Sequence, residues 1–143
     1  SFVYRQYVTH TEIHISAPES EINTGPTADE FAPVRPSYIP EGFICTEEEQ
    51  LTILSFMVYE RNEQRISFQQ MFADGTGIGL DTEDAYTENT QVSGMEALYV
   101  EKQIEDSVHR TLLYHDEVYI YLLSADGLSR QELFKIAESV PAV

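Results

Sequence analysis

The chain has 143 residues, a length that suits one domain with a core of its own. Hydrophobic residues make up 42% of the chain, which argues against disorder. The 25 Asp and Glu residues outnumber the 8 Lys and Arg residues, for a formal net charge of -17. Such a surface repels phosphate backbones and anionic headgroups, so nucleic-acid binding and electrostatic binding to membranes are strongly disfavoured.

The single cysteine, Cys45, excludes an intrachain disulfide and a cysteine-based zinc cluster. We expect Cys45 to be a small buried hydrophobe rather than a nucleophile. No apolar run reaches the roughly 20 residues that span a bilayer, and no signal peptide is recognisable. Because the chain begins at Ser1 rather than Met, we expect it to be a fragment whose membrane anchor, if there is one, precedes it.

The N-terminal part predicts a strand and then a long connection. Residues 2–15 are rich in aromatic and β-branched side chains and predict one strand, bent in the middle. Residues 17–40 contain all but one of the chain's prolines. Because proline removes a backbone donor and fixes φ, this stretch is expected to be extended and irregular.

The middle of the chain predicts successive strands joined by short links. Residues 51–60 and 65–72 form a hairpin by length and by the polar turn between them, and Asp74-Gly75 marks the next turn. Further strands are predicted at residues 90–100, 108–114 and 118–123. Such an order is typical of an antiparallel meander.

The C-terminus predicts a short amphipathic helix. Ser129 and Glu132 form a Ser-x-x-Glu capping box, and Leu128 can pack on Leu133 as a hydrophobic staple. Pro141 ends the helix. The apolar side chains at i, i+3, i+4 and i+7 form one face: Leu133, Ile136, Ala137 and Val140. The predicted fold is therefore α+β, an antiparallel β-sheet meander with a C-terminal amphipathic helix packed on one face.

Two groups of residues that contain histidine are candidates for a metal or catalytic site. His10, Glu12 and His14 alternate along the first strand, about 6.8 Å apart, which is too far for one metal ion without further ligands. His109 and His115 share a strand, but no nucleophile motif accompanies them. We expect solvated histidines in both places, with no catalytic residue, no cofactor and no metal.

Carboxylates also crowd a glycine-bearing segment, in an order that does not match a known calcium loop. They are Asp74, Asp81, Glu83, Asp84 and Glu88. Glu47, Glu48 and Glu49 precede an apolar strand and can protect it from aggregation. A ligand groove is the remaining candidate site, since strand tyrosines can line one: Tyr99, Tyr114, Tyr119 and Tyr121.

Three stretches resemble a known bacterial family. Tyr38-Ile39-Pro40-Glu41-Gly42-Phe43 is similar to the Y-[LI]-P-E-G-[FY] start of the domain of unknown function 4367 family, and Val92-Ser93-Gly94 falls where the family has a hydrophobic residue and a glycine. Residues 112–121 and 132–140 are similar to its ending. The family often has Trp where Tyr114 stands. These motifs name no catalytic residue, and they divide the one domain into residues 1–37 and a family-like core at 38–143.

The resemblance implies a context more than an activity. Such domains form the extracytoplasmic end of membrane-anchored proteins in Gram-positive bacteria, some with an anti-sigma-factor region in the cytoplasm. The first hypothesis is therefore a non-enzymatic sensory or interaction domain, facing a protein partner outside the cell membrane. The alternative is a carrier or binding module for a lipid or a hydrophobic peptide. An enzyme ranks third.

Overall fold

The computed structural model describes residues 2–6, 10–15, 31–73 and 77–142, with the backbone alone for the first two ranges and for 77–79 and 81. These residues form ten strands and one helix. The strands are β1 (Phe2–Gln6), β2 (His10–Ile15), β3 (Ile44–Gln50), β4 (Leu54–Arg61), β5 (Gln64–Phe72), β6 (Gly77–Asp81), β7 (Tyr86–Val92), β8 (Met95–Ile104), β9 (Ser107–His115) and β10 (Tyr119–Asp126), and the helix is α1 (Arg130–Glu138).

Seven strands form the main sheet, in the order β3-β4-β5-β10-β9-β8-β7. Every neighbouring pair in it is antiparallel. The sheet joins two meanders, β3 to β5 and β7 to β10, along the seam where β10 pairs with β5. A smaller sheet has the order β1-β2-β6. The predicted α+β class is confirmed, as is the hairpin of β4 and β5.

Helix α1 forms as its sequence predicts. The Ser129 side chain caps it by accepting a hydrogen bond from the Glu132 backbone N–H at 3.1 Å. Leu128 and Leu133 are both buried in the main core, as a staple requires. The helix packs on β9, β10 and β7, and Ile136 has no exposed surface. Within the described residues, no helix is long and apolar enough to cross a membrane.

The two faces of the main sheet are covered unequally. The larger core lies between the sheet and α1 and contains Phe68, Tyr114 and Leu123, none of which is exposed. A smaller cluster around Leu113 and Ile120 occupies the other face. Strand alternation explains the division, since successive side chains of a strand point to opposite faces.

Residues 31–43, here called the strap, cross the helix-bearing face of the sheet in an irregular path. The strap's end contains the family-like motif, whose residues have structural roles. Tyr38 donates from its hydroxyl to the Glu132 carboxylate at 2.9 Å, and Lys135 lies over its ring at 4.3 Å. Phe43 donates from its backbone N–H to the Pro40 carbonyl, which closes a tight turn. The motif therefore joins the helix to the first strand of the main sheet.

Two single strands of the sequence prediction are hairpins. Residues 2–15 form β1 and β2, which pair with each other from Phe2 opposite Ile15. Residues 90–100 are interrupted by a turn at Ser93 and Gly94, whose φ values of 51° and 81° are those that a two-residue hairpin turn requires. The prediction of one strand at residues 90–100 was wrong. The turn contains a single glycine and lies within a stretch of alternating apolar residues, so the sequence signal for a turn is weak.

Two other stretches were also interpreted wrongly. The acidic residues at 47–49 belong to β3, an edge strand exposed along its whole length, and Cys45 is exposed with them rather than buried. The glycine-bearing segment contains β6, which pairs with β2. The predicted turn at Asp74-Gly75 and the connection at residues 17–30 lie outside the described residues.

Candidate functional site

The four tyrosines for which the sequence predicts a groove lie inside the protein. Tyr99 and Tyr114 have no exposed surface, and Tyr119 and Tyr121 are 2% exposed. Tyr121 stacks on Tyr114 at 5.0 Å between ring centroids and lies 6.2 Å from Tyr119. Tyr99 packs beside the helix, 6.0 Å from Phe134. The sheet thus brings Tyr114, Tyr119 and Tyr121 together. A ligand groove along them stays a prediction, and it would require α1 or the strap to move.

The hydroxyl groups of these tyrosines have contrasting environments. Tyr99 donates to Glu101 at 2.6 Å and accepts from Arg110 at 3.1 Å. Burial and the hydrogen bond to Glu101 raise the pKa of Tyr99 to about 12. Burial also raises the pKa of Tyr114 and of Tyr121. The Tyr114 hydroxyl has no hydrogen-bond partner among the described residues.

The two histidines of β9 bind different carboxylates. Nδ1 of His109 lies 2.6 Å from Oδ1 of Asp126 on the neighbouring strand. Nε2 of His115 lies 3.3 Å from Oε2 of Glu96. Because they stand six residues apart on one strand, the two rings are roughly 20 Å apart along it. The structure therefore does not bring them into one site.

Glu88 binds an arginine of the helix. Its Oε2 accepts from Nη2 of Arg130 at 2.6 Å, and its Oε1 accepts from the Tyr86 hydroxyl at 2.6 Å. The Arg130 guanidinium lies 4.5 Å above the Tyr99 ring. The bonds from Arg130 and Tyr86 lower the pKa of Glu88 to about 2. This cluster clamps α1 to β7.

The metal hypotheses receive no further support from the part of the chain that the structure describes. There, no three His, Cys, Asp or Glu side chains gather around a possible ion. Asp74, the side chain of Asp81 and the side chains of His10, Glu12 and His14 lie outside the described atoms.

A buried glutamine holds the strap against the sheet. Gln70 has no exposed surface, and its Nε2 donates to the Ala32 carbonyl at 2.9 Å. Its Oε1 accepts from the Val34 backbone N–H at 2.8 Å. The Tyr119 hydroxyl accepts from the Ala32 backbone N–H at 2.8 Å, and Phe31 packs edge-on against the Tyr119 ring at 5.5 Å. These bonds fix the backbone of the strap at the margin of a cleft.

The cleft, here called the strap cleft, has a volume of about 300 Å³. It lies between the strap (residues 33–35), the edge strand (residues 48–50) and Pro141 beyond the helix, with Ser55 and Met57 of β4 beneath. Ser55 is 2% exposed, and its Oγ has no hydrogen-bond partner among the described residues. A partly open space lined by a residue with an unsatisfied hydroxyl makes the strap cleft the candidate functional site.

The strap cleft has a charged rim. Arg35 of the strap and Glu48 of β3 form an ion pair across it, with 56% and 47% of their side chains exposed. Glu49 lies opposite Phe56, so its side chain points to the other face of the sheet from Met57. The two charges on the rim therefore balance.

Two other depressions are less promising as sites. One of about 620 Å³ runs along the outer face of α1, but all of the residues that line it belong to that helix, so it has a single wall. Another of about 260 Å³ lies on the opposite face of the sheet, near His109 and Lys102. Lys102 already has an interaction partner.

Sequence reasoning missed the residues of the strap cleft. Gln70 shares one face of β5 with Ile66, Phe68 and Phe72, and a glutamine within an apolar alternation is a detectable signal of a buried polar bond. Ser55 had no such signal, because small polar residues are common in strands. Its importance depends on the strap, which packs there through long-range contacts.

The fold and site define a class of small α+β proteins in which a helix and an N-terminal strap cover one face of an antiparallel sheet. The chain belongs to the family described as "Domain of unknown function (DUF4367)", whose sequence model matches residues 33–140. The match begins within the strap, upstream of Tyr38, so it includes Val34, one of the two strap residues that bond to Gln70. No curated protein and no solved structure matches the chain.

Proposed function

We propose that this chain is a non-enzymatic interaction domain of a membrane-anchored regulatory protein, and that its strap cleft receives part of a protein partner. The observation that carries the proposal is the Ser55 hydroxyl, which is buried beside an open cleft without a hydrogen-bond partner among the described residues. A buried hydroxyl without a partner costs about 1–3 kcal/mol, which a polar group of the partner recovers when the strap shifts and exposes Ser55.

Size favours a protein side chain over a lipid. A volume of about 300 Å³ lies at the lower end of the range for ligand pockets. The interface between sheet and helix is tightly filled, since Leu133 and Ile136 of α1 and Tyr114 below them have no exposed surface. This packing weighs against the alternative, carriage of a lipid or hydrophobic peptide along the tyrosines.

The location belongs to the proposal as well. The family resemblance implies an extracytoplasmic domain of a Gram-positive bacterium, linked through a membrane anchor to a cytoplasmic regulator such as an anti-sigma factor. The net charge of -17 supports a protein partner rather than a nucleic acid. No catalytic role is included, because the sequence offers no catalytic motif.

Site-specific crosslinking in the native host tests the partner. A photo-crosslinking amino acid is placed at Gln50, which lines the strap cleft, and in a matched control at Ile104, which is 48% exposed on β8. We expect a protein adduct from position 50 alone. Equal adducts from both positions, or none from position 50, would contradict the proposal, and a lipid adduct would support the alternative.

The exposed thiol of Cys45 tests the location. A maleimide that cannot cross membranes is applied to intact cells that make the parent protein, with Cys45→Ser as the control variant. We expect Cys45-dependent labelling before lysis. Labelling that appears only after lysis would place the domain in the cytoplasm.

A further inference from the structure

Strand β3 forms one edge of the main sheet, and its outer side pairs with no strand that the structure describes. All of its residues are exposed. Where β3 turns into β4, the Leu51 backbone N–H donates to the Leu54 carbonyl at 2.7 Å. Because inward and outward backbone groups alternate along an antiparallel strand, the N–H and C=O groups of Glu48 and Gln50 point away from β4. This edge therefore offers two donors and two acceptors to another strand.

One face of β3 presents two carboxylates between two apolar side chains. Glu47 and Glu49 alternate with Glu48 along the strand and point away from the strap cleft. Neither forms an ion pair with any residue that the structure describes. Ile44 and Leu51 flank them on the same face and are 69% and 52% exposed. Both the charges and the apolar surface on this face are therefore accessible to a partner.

A second copy of this chain does not fit the edge. Antiparallel pairing of two β3 strands about Glu48 or Glu49 places glutamate opposite glutamate, and like charges directly opposite each other are destabilising. The net charge of -17 adds repulsion between any two copies. The same carboxylates favour a basic strand, because opposite charges stabilise a cross-strand pair.

We propose that a protein partner adds an extended segment to β3 as a further strand of the main sheet, with basic residues at two alternate positions between two apolar ones. Backbone bonds to Glu48 and Gln50 supply affinity, and the alternating side chains supply specificity. Residues on one face of a strand lie about 6.8 Å apart, so alternate positions place one basic residue opposite Glu47 and another opposite Glu49. The inference rests on the proposed function, because the other face of the added strand borders the strap cleft, which Glu48 and Gln50 line.

The test is an NMR titration of the whole chain labelled with ¹⁵N. The probe is the acetylated and amidated peptide Gly-Val-Thr-Lys-Thr-Lys-Thr-Val-Gly, whose valines and lysines share one face. The matched control, Gly-Val-Lys-Thr-Thr-Thr-Lys-Val-Gly, has the same composition and charge but carries its lysines on the other face. We expect saturable shifts of the Glu48 and Gln50 amides, with a Kd of about 0.1–1 mM for the probe and roughly tenfold weaker binding of the control. Equal binding of the two peptides, or shifts that spread over the acidic surface without saturating, would overturn the proposal.

Backbone pairing distinguishes an added strand from a contact driven by charge alone. The threonines of the probe lie opposite Glu48 and Gln50, so N-methylation of the threonines removes the bonds to β3 and keeps the charge. We expect the methylated probe to lose saturable binding. In the complex with the unmodified probe, hydrogen exchange of the Glu48 and Gln50 amides should slow at least about tenfold, whereas that of Glu49, whose amide faces β4, should change less. Saturable binding of the methylated probe would show that no strand is added.

Three substitutions locate the site on β3. Glu47→Gln and Glu49→Gln should each weaken binding of the probe roughly two- to fivefold, whereas Glu63→Gln, which removes an exposed acid from the turn after β4, should not. Gln50→Pro removes an outward N–H that β4 does not use, so the chain should fold and bind the probe at least about tenfold more weakly. Equal weakening by all three glutamate variants would mean that the net charge alone attracts the peptide.

The added strand and the proposed function can fail separately. If crosslinking from position 50 captures a partner but the probe does not pair with β3, the partner binds the cleft in another way and this inference is wrong. If the probe pairs with β3 as expected but crosslinking captures no partner, the proposed function is wrong and the edge site stands.

Discussion

Two hydroxyl groups, those of Ser55 and Tyr114, are buried without a hydrogen-bond partner among the described residues. Each costs stability, because burial removes a hydroxyl from water without replacing its bonds. Their surroundings differ, since Ser55 lines an open cleft whereas Tyr114 stacks on Tyr121 inside the core. A shift of the strap would expose the first to a ligand, whereas the second stays inside the core and has no functional compensation.

Removing the Tyr114 hydroxyl should therefore stabilise the protein. Tyr114→Phe keeps the ring in its stack and should raise the free energy of unfolding by about 1 kcal/mol. Tyr99→Phe is the control, because it breaks the bonds to Glu101 and Arg110 and should lower it by about 1–3 kcal/mol. Urea denaturation at pH 7 measures both, and destabilisation by Tyr114→Phe would indicate a bound partner for that hydroxyl.

Alanine substitutions at two glycines distinguish the cost of backbone strain from the cost of side-chain crowding. Gly42 has a φ of 92°, and an added Cβ would lie 2.9 Å from Cδ of Arg61. Gly94 has a φ of 81° with open space around it. Gly94→Ala should thus cost about 1 kcal/mol from its backbone alone, and Gly42→Ala about 1 kcal/mol more, because Arg61 must move. Equal losses of thermal stability would show that Arg61 adjusts freely.

At the scale of elements, the strap depends on one side chain of β5. Gln70→Ala leaves the Ala32 carbonyl and the Val34 N–H without their partner and should lower the free energy of unfolding by about 2–4 kcal/mol. Gln91→Ala, on the exposed side of β7, should change it by less than about 0.5 kcal/mol. Hydrogen exchange gives a second measurement, since protection of the Val34 amide should fall in the Gln70 variant only.

The attachment of α1 to β7 should depend on pH. The folded pKa of Glu88, about 2, lies below its ordinary value of 4.5. Its stabilising effect is therefore complete above about pH 4.5 and is lost as the pH falls towards 2. Carbon NMR of the Glu88 carboxyl should give a pKa near 2 in the parent chain and a clearly higher one in Arg130→Gln.

An exposed arginine provides the control for that titration. Arg65→Gln, on β5, should leave the Glu88 titration unchanged. The stability difference between the parent chain and Glu88→Gln should also shrink as the pH falls through the same range. A difference as large at pH 2.5 as at pH 6 would mean that Glu88 acts through packing rather than charge.

The sequence predicted elements best where local signals were strong. The capped helix at Arg130–Glu138 and the hairpin of β4 and β5 carry their own start and turn residues. The sequence did not predict β3, because its three glutamates give no apolar pattern. An edge strand can lack that pattern, since its side chains need not be buried. The strap cleft could not be predicted, since the position of the strap depends on bonds to Gln70 of β5 and Tyr119 of β10, which are distant from it in sequence.

At the scale of the whole molecule, the charge of -17 works against compactness. Mutual repulsion of the 25 acidic residues is long-ranged at low ionic strength, where the Debye length is about 30 Å at 0.01 M, and is screened to about 8 Å at 0.15 M. Raising NaCl over this range should increase Tm by about 3–5 °C. Choline chloride should act equally, and an effect of sodium alone would indicate a specific cation site.

The seam between β5 and β10 determines when this protein can fold during its synthesis. Residues 64–72 find their partner strand only at 119–126, and Ser37 of the strap bonds to Ser139 beyond the helix. Isolated hairpins are marginally stable in water, so the nascent chain gains little until β10 has left the ribosome. The strap is held in place only after residue 139 has also emerged. Until then residues 31–126 have no stable fold and can still cross a membrane as an extended chain, which suits a domain proposed to reach its folded state on the far side of a membrane.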